Sequence, residues 1–365
     1  MLNNDDSGRL IDAICEACAN KQALSLCGSG SKQLLGGKQK GLMLSLVENS
    51  GLLEYQPQEL VLTARAGTRL DEIIPLLTAN GQQLPFDPPR YGGQGTLGGA
   101  LASGLSGPAR VWQGSVRDAV LGMRIVNGMG QCLNFGGQVL KNVAGYDVSR
   151  LMTGTFGTLG LILSASVRLL PLPAFTQTVQ LEMDQREALD FVLKFLRIAS
   201  SITATCYVDG QLFLRFSGSE AGVRKTAGEL GGEIFADSEY FWNQIRDHKH
   251  RFFAGQALWR FSLPPAAAYP ELEGEWMTEW AGAQRWLKSE ARSQKEVQHL
   301  FDSAKALGGH LSYYKSPVST SVSDGNLPFP NFSSLSPALM KYHIRLKQAF
   351  DPAGILNSGR LYPDF

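Results

Sequence analysis

The apolar positions of the first 170 residues predict short strands and helices separated by glycine-rich turns. An amphipathic spacing predicts a helix over 8–20, and a second helix starts at Gly67 and ends before Gly81. Leu121–Val126 and Gln131–Phe135 flank Asn127-Gly128, which favours a hairpin with a type I′ turn. The remaining strands are predicted at 23–27, 42–46, 51–56, 60–65 and 159–169.

The pattern changes after Pro171-Leu172-Pro173, where strands and helices begin to alternate. Strands are predicted at 175–182, 202–208 and 211–216, and helices at 184–199, 219–230 and 238–249. Asp209-Gly210 marks a hairpin turn, so this part predicts an antiparallel sheet covered by helices, an α+β unit. The Ser-, Pro-, Gly- and Asn-rich stretch 315–334 predicts a loop before a final helix at 335–350.

Charge and cysteine content exclude several classes of protein. Lys and Arg total 34 against 33 for Asp and Glu, so the chain has no general electrostatic reason to bind nucleic acid or an anionic membrane. The N-terminus is polar and acidic, unlike a signal peptide, and no apolar run approaches the roughly 20 residues of a membrane span. The five cysteines are scattered, which favours a reducing compartment and hence the cytoplasm.

Glycine is enriched, at 40 of 365 residues against a usual background of about 7%, and it forms three clusters. The first, Gly28-Ser-Gly-Ser-Lys32, directly follows a predicted strand. Glycines let successive N–H groups point at one phosphate, while Ser29, Ser31 and Lys32 add hydroxyl donors and a positive charge. An ordinary surface turn is the alternative interpretation.

The second cluster extends from Pro88 to Gly104 and contains Gly93-x-Gly95-x-x-Gly98, a literal dinucleotide fingerprint. We reject that match because the segment follows a proline-rich turn, whereas the fingerprint requires a preceding strand. Gly98 and Gly99 are instead expected to open a short helix whose N–H groups face a ligand. The third cluster, Gly154–Ile162, predicts a tight turn entering a buried strand.

These clusters resemble the FAD-binding domain of the vanillyl-alcohol oxidase/p-cresol methylhydroxylase (PCMH) superfamily. The more specific resemblance is to the family of small FAD-binding subunits of bacterial glycolate oxidase (glycolate dehydrogenase), through Gly95–Gly104, Phe135–Asp147 and Leu346–Arg360. It implies a two-lobed PCMH-type FAD-binding domain over 1–172. A smaller antiparallel α+β cap or substrate domain would cover 173–334, and 335–365 would return to the FAD domain.

The resemblance also implies which residues contact FAD. The pyrophosphate loop would be Gly28, Ser29, Gly30, Ser31 and Lys32, followed along the pyrophosphate and flavin by Thr96, Gly98, Gly99 and Ser103. Ribose and adenine would meet Gly157, Gly160 and Ile162, with Asn357 near the isoalloxazine ring and Lys141, Asn142, Tyr146 and Asp147 bracing the glycine turn. Covalent attachment of FAD in this superfamily often uses a histidine of this domain, and residues 1–247 contain none, so non-covalent FAD is expected.

Candidate catalytic groups are few. His310 could act as a general base, although a structural histidine at a strand start is the alternative. Arg90 and Arg110 could bind a substrate carboxylate, or equally cover the proline-rich turn or meet a partner. His248 and His250 are interpreted as a solvated helix end. No metal site is expected, because Asp324-Gly-Asn326 lacks the flanking histidines found in metal-dependent relatives.

The predicted function is an FAD-binding subunit of a complex that oxidises glycolate or another small 2-hydroxy acid. A larger flavin-type sister subunit and an iron–sulfur subunit are the expected partners, since the cysteines form no cluster set here. Neither nucleic acid nor direct membrane insertion is expected, and any membrane contact would come through partners. Phe156, where many relatives have an acidic residue, favours the alternative of a non-catalytic flavin-fold scaffold. A third possibility is an independent flavoenzyme such as a cell-wall enolpyruvyl reductase.

Overall fold

The structure is a computed structural model that describes residues 3–33, 35–38, 40–137, 147–196, 201–255, 257–290, 293–314, 330–363 and 365. The α-helices are α1 (Ser7–Asn20), α2 (Leu70–Ala79), α3 (Leu97–Ser103), α4 (Arg110–Gln113), α5 (Val116–Ala119), α6 (Val148–Leu151), α7 (Gln185–Phe195), α8 (Glu220–Leu230), α9 (Ser238–Arg246), α10 (Gln294–Ala306) and α11 (Pro337–Phe350). The strands are β1 (Leu24–Cys27), β2 (Leu42–Ser45), β3 (Leu52–Gln56), β4 (Val61–Arg65), β5 (Gln82–Gln83), β6 (Val120–Val126), β7 (Cys132–Gly136), β8 (Leu161–Arg168), β9 (Leu170–Pro171), β10 (Phe175–Glu182), β11 (Ile202–Val208), β12 (Gln211–Gly218), β13 (Glu233–Ile234), β14 (Leu258–Ser262), β15 (Glu275–Glu279), β16 (Gln284–Lys288) and β17 (His310–Tyr314).

The chain divides into two compact units. The first unit comprises Met1–Ser106, Gly114–Leu172 and Ser334–Phe365, and the second comprises Gly107–Gln113 and Pro173–Ser333. The first unit is therefore assembled from separate parts of the sequence, one of which is the C-terminal segment. The short helix α4 belongs to the second unit although it precedes most of that unit by some 60 residues of chain.

The first unit is built on an antiparallel sheet with the strand order β3-β4-β8-β6-β7. β8 lies in the centre of this sheet, and its positions Leu161–Val167 are all buried. Both faces of this strand are therefore covered, although Ser164 and Ser166 interrupt its apolar residues. A second, parallel pair joins β1 to β2, and the backbone of Leu356 bridges to Leu24 on the other side of β1. The C-terminal segment thus extends the sheet that ends at the first glycine cluster.

The second unit contains an antiparallel sheet with the strand order β13-β10-β12-β11-β15-β16-β14-β17. Helices pack on it through apolar stripes, such as Val223 and Ala227 of α8 and Val297, Leu300 and Ala304 of α10. The antiparallel sheets and packed helices confirm the predicted α+β fold class. They also agree with the rejection of a doubly wound dinucleotide fold, which requires a parallel sheet.

Most predicted elements are present with boundaries shifted by a few residues. The Asn127-Gly128 hairpin forms between β6 and β7, but its connection is five residues long, so the predicted type I′ turn is wrong. A tertiary contact explains the difference: Gly128 donates its N–H to the Phe350 carbonyl at 2.8 Å. A side chain at position 128 would also meet Asp351, since an added Cβ would lie 2.2 Å from its Oδ1.

The prediction that His248 is solvated is wrong. His248 follows α9 and is only 8% exposed, stacked on Phe253 at 4.5 Å between ring centroids. Trp286 and Tyr314 meet its ring edge-on, each at 5.1 Å. Burial lowers the pKa of His248 from 6.5 to about 3, with a further lowering from Arg260 and an opposing effect of Asp247. The segment predicted to be a solvated helix end therefore contains a neutral histidine in the core.

Several predictions concern residues outside the described ranges. These are the bracing roles of Lys141, Asn142 and Tyr146 and the loop at 315–329. Asp147 is described: its carboxylate caps α6 by accepting the Arg150 N–H at 3.1 Å and the Ser149 hydroxyl at 2.9 Å. Both contacts are made to α6, so the bracing of the glycine turn by Asp147 stays a prediction.

Candidate functional site

The three glycine clusters meet in the first unit and form the walls of one groove, with about 750 Å³ of empty space that includes its open side. This size suits a cofactor or drug-sized ligand. All of the predicted cofactor residues line it, namely Gly28, Ser29, Gly30, Ser31, Lys32, Thr96, Gly98, Gly99, Ser103, Gly157, Gly160, Ile162 and Asn357. Tertiary folding therefore gathers segments that are as far apart as residues 28 and 357. Their contacts with a cofactor remain predictions.

The first cluster leaves β1 as a loop with unused backbone donors. Within the described part of the chain, none of the N–H groups of Gly28–Ser31 has a hydrogen-bond acceptor. Gly30 has a left-handed φ of +75°, which glycine adopts without strain. Ser29 donates its hydroxyl to Ser31 at 3.3 Å, so these two side chains are held side by side. Such a set of unused donors is suited to an anion.

The second cluster does not present the N–H groups of α3 to a ligand, although the sequence predicted that it would. α3 does open at Leu97, but its first N–H groups are occupied: Leu97 donates to Thr68, and Gly98 donates to Ala66 at 2.8 Å. Gly99 donates to the Thr96 hydroxyl at 3.1 Å, as in an ordinary N-cap. The prediction that these N–H groups face a ligand is therefore wrong. Gly98 is needed for close packing, since a Cβ there would lie 2.6 Å from the Cβ of Ala66.

The third cluster is joined to the first through Asn357. The Asn357 side chain accepts the Leu26 N–H at 2.7 Å and donates to the Phe156 carbonyl at 2.6 Å. Its backbone N–H donates to Leu24 at 3.0 Å, and the residue is only 3% exposed. Both ends of the amide are thus engaged by protein. Asn357 holds two walls of the groove together, which adds a structural role to its predicted cofactor contact.

Arg360 is a groove residue that the sequence analysis did not single out. Its side chain is buried, with Nη1 donating to the Gly37 carbonyl at 2.7 Å and Nη2 to the Lys32 carbonyl at 3.1 Å. Its guanidinium also lies 5.8 Å from the centre of the Phe156 ring. Burial lowers the pKa of Arg360 to about 10, so it stays protonated at neutral pH. The only available signal was its place at the end of the Leu346–Arg360 motif.

The lining of the groove suits a ligand that is anionic at one part and apolar at another. Lys32 and Arg360 supply positive charge, and the lining residues include no Asp or Glu. Apolar contacts come from Leu26, Leu46, Ala66, Leu161 and Ile162. FAD, with a diphosphate between two aromatic ring systems, fits this combination. The donors of Gly28–Ser31 would hold its diphosphate, and the apolar wall would meet a ring.

The candidate catalytic residues are not part of the groove lining. Arg90 is half-buried in the first unit, and its carbonyl accepts the Gly95 N–H at 3.3 Å. Arg110 belongs to the second unit, where its guanidinium lies 4.7 Å from the centre of the Trp280 ring. His310 is exposed at the start of β17, also in the second unit. Their roles in catalysis and substrate binding therefore remain predictions.

A substitution at Gly28 tests the packing of the first cluster on the second. An added Cβ would lie 2.8 Å from Thr96 Oγ1, and Thr96 is only 2% exposed and caps α3. We expect Gly28→Ala to lower the free energy of unfolding by about 1–3 kcal/mol, because the crowded hydroxyl cannot move away freely. Urea denaturation would measure this loss. Gly8→Ala is the matched control, since nothing lies within 4 Å of a Cβ there.

If the Gly28→Ala protein were as stable as the wild type, Thr96 would be more mobile than its burial indicates.

Similarity to known proteins identifies the family. Residues 5–136 match the family described as FAD binding domain. Over 361 residues the chain is 41% identical to glycolate oxidase subunit GlcE of Escherichia coli (strain K12), a match that covers 99% of this chain and 98% of that protein. The chain belongs to the GlcE family of glycolate oxidase subunits. It is thus placed among FAD-dependent oxidoreductases, and the cofactor of its matched domain family is FAD.

More distant relatives share parts of the chain. Glycolate oxidase subunit GlcD of Bacillus subtilis (strain 168) is 31% identical over 180 residues, which are 48% of this chain and 37% of GlcD. D-2-hydroxyglutarate dehydrogenase of Xanthomonas citri pv. viticola is 31% identical over 157 residues, 41% of this chain and 33% of that enzyme. Each of these two matches therefore spans about a third of the relative.

A solved structure of alkyldihydroxyacetonephosphate synthase superposes with a TM-score of 0.65 at 14% identity, covering 96% of this chain and 75% of the other. At that identity the likeness shows a shared fold. Across the residues that the structure describes, no helix combines the length and apolar character that a bilayer crossing requires. In the same residues, no group of three or more His, Cys, Asp or Glu side chains is arranged to hold a metal ion.

Proposed function

We propose that this chain holds FAD non-covalently in the groove and serves as an FAD-binding subunit of a complex that oxidises glycolate or a related small 2-hydroxy acid. The observation that carries the proposal is the groove itself, where unused N–H donors and two cations lie beside an apolar wall. Membership of the GlcE family supports glycolate as the substrate. The related 2-hydroxy-acid dehydrogenases support the wider substrate class.

The chain's own residues have distinct tasks in this proposal. The loop Gly28–Lys32 binds the diphosphate, Thr96 caps α3 in the second wall, and Asn357 joins the first wall to the third. FAD, when bound, supplies the acceptor for the hydride that leaves the hydroxy carbon. His310 would accept the hydroxyl proton, and Arg90 or Arg110 would bind the substrate carboxylate. The role of His310 is tested by whether His310→Gln lowers the turnover of glycolate while the affinity for FAD stays unchanged.

The proposed partners are a larger flavin-type sister subunit and an iron–sulfur subunit that receives the electrons. The name of the GlcE relative, a subunit of glycolate oxidase, supports assembly with other chains. The five cysteines of this chain are free and lie on separate elements except for Cys15 and Cys18 of α1, so the acceptor cluster would belong to another subunit. We propose a cytoplasmic location, with any membrane association made through those partners.

An anaerobic absorbance spectrum of the purified chain, before and after glycolate is added, tests the proposal. Oxidised-flavin bands that bleach on addition of glycolate would support dehydrogenation by this subunit. A colourless protein that cannot be reconstituted with FAD would overturn the cofactor assignment. Bands that glycolate does not change would favour a second candidate, a flavin-fold scaffold that supports the sister subunit.

The scaffold has one observation in its favour: Phe156, rather than an acidic residue, stands in the third cluster with its ring beside Arg360. The variant Gly99→Leu separates the two candidates. A side chain at position 99 would enter the groove, since an added Cβ would lie 3.1 Å from Thr96 Oγ1 and 3.9 Å from Lys32 Nζ. If the chain is a scaffold, the Gly99→Leu variant would still restore glycolate oxidation to cells that lack the subunit. If the chain acts through its own FAD, the variant would fail to restore it.

A further inference from the structure

The segment Asn357–Arg360 contacts the chain on both sides of the phosphate-loop candidate, Gly28–Lys32. At the start of the loop, the Leu26 N–H donates to Asn357 Oδ1. At and beyond its end, the Arg360 guanidinium donates to the carbonyls of Lys32 and Gly37, and the N–H of Gly37 donates to the Arg360 carbonyl at 2.8 Å. The position of the unused N–H donors therefore depends on residues more than 320 positions later in the chain.

The approach of this segment requires the absence of side chains just beyond the loop, at Gly36 and Gly37. An added Cβ at Gly37 would lie 2.2 Å from the Gly359 carbonyl oxygen, and one at Gly36 would lie 2.6 Å from that of Arg360. Both neighbours are backbone atoms, which cannot rotate away as a side chain can. Glycine at positions 36 and 37 is thus required for the contact between this part of the chain and the C-terminal segment.

The charge of Arg360 has no anionic partner in the described part of the chain. Both hydrogen-bond acceptors are neutral carbonyls, and no carboxylate pairs with its guanidinium there. The residue is only 5% exposed. A buried cation is costly unless an opposite charge compensates it. Since Arg360 lines the groove, an anion in the groove would be that compensation.

We propose that Arg360 is a cofactor-binding residue, contributed by the C-terminal segment, whose buried charge stabilises the diphosphate in the groove. The inference rests on the proposed binding of FAD, and it adds a residue outside the matched domain of 5–136. It assigns the ligand class at this end of the groove as a diphosphate ester. The same charge should therefore favour ADP, which carries the diphosphate without a flavin.

The test measures binding of FAD and of ADP to full-length apoprotein by titration calorimetry. We expect Arg360→Gln to weaken both ligands by the same factor, about 10- to 100-fold, because a charge-assisted interaction is lost. Arg360→Lys keeps the charge and should lose less affinity than Arg360→Gln. Arg345→Gln is the matched control, an exposed arginine of α11 outside the groove, and should leave both affinities unchanged.

The outcomes separate this inference from the proposed function. If the wild type binds neither FAD nor ADP, the proposed function fails. If the wild type binds both and Arg360→Gln binds them equally well, or loses FAD affinity while keeping ADP affinity, the inference is wrong and the proposed function stands. Thermal unfolding of each apoprotein checks the fold. Should Arg360→Gln be unfolded, a folded Arg360→Lys that loses more than 100-fold would contradict the role of charge.

Discussion

Replacement of Lys347 by methionine is expected to lower the free energy of unfolding by about 3–5 kcal/mol, because it leaves the Asp351 carboxylate buried without its counter-ion. Asp351 is 1% exposed, and Lys347 Nζ contacts its Oδ2 at 2.6 Å. The same Nζ donates to the carbonyls of Thr158 at 2.8 Å and Leu356 at 2.7 Å. Burial lowers the pKa of Lys347, and the neighbouring Asp351 opposes that effect.

The ammonium group thus joins α11, the third glycine cluster and the C-terminal segment in one contact. Denaturation by urea, monitored by circular dichroism, would measure the loss. Lys341→Met on the same helix is the matched control, because Lys341 is exposed and should change stability by no more than about 0.5 kcal/mol. The double variant Lys347→Met with Asp351→Leu should be less destabilised than the sum of the single variants. Additive losses would show that the two side chains do not stabilise each other.

Acidification below pH 6.5 is expected to destabilise the second unit through His248. Its pKa of about 3 in the folded protein is below the ordinary 6.5, so between these values the unfolded chain binds a proton that the folded protein does not. The stabilisation is complete above pH 6.5 and falls by at most about 1.4 kcal/mol per pH unit as the pH drops towards 3. His250, whose pKa is also lowered by burial, contributes in the same direction.

A comparison of variants isolates this effect from the carboxylates that titrate in the same range. His248 has a left-handed φ of +52°, which asparagine tolerates, so His248→Asn is the suitable replacement. It should lower stability at pH 7 through lost aromatic packing and should flatten the dependence on pH below 6.5. His299→Asn changes an exposed histidine of α10 and should reproduce the wild-type curve. A wild-type slope retained in His248→Asn would assign the acid sensitivity to other groups.

Local pattern predicted those elements whose burial has a simple period. α7 is one case: Asp184 caps it, and its buried positions Ala188, Leu189 and Val192 have helical spacing. The strands β14–β16 and helix α10 were not predicted, and the start of β17 at His310 was given only as an alternative, although the alternating α+β pattern of this part was recognised. β16 illustrates the physical reason, since Gln284–Leu287 are all buried and show no alternation. Arg285 in this strand is fully buried because its guanidinium donates to backbone carbonyls, which no pattern of polarity reveals.

The candidate site was predictable where a chemical signal is local. The composition of Gly28-Ser-Gly-Ser-Lys32 predicts a phosphate loop, and this loop lines the groove. Whether the first N–H groups of α3 are available to a ligand depends on the carbonyls of Ala66 and Thr68, which belong to a different part of the chain. The role of Arg360 likewise depends on Gly37 and Lys32, hundreds of residues away. Such long-range acceptors decide whether a donor is available to a ligand, and a sequence gives no distance between them.

The contact between the C-terminal segment and the phosphate-loop candidate has a consequence for synthesis on the ribosome. Domains generally fold from the N-terminal side as the chain emerges, and the second unit, 173–333, leaves the exit tunnel before residues 355–360 do. Until then β1 lacks its Leu356 bridge, and Gly37 lacks its Arg360 partner. The nascent chain therefore carries an incomplete groove through most of translation, and capture of the cofactor becomes a post-translational step.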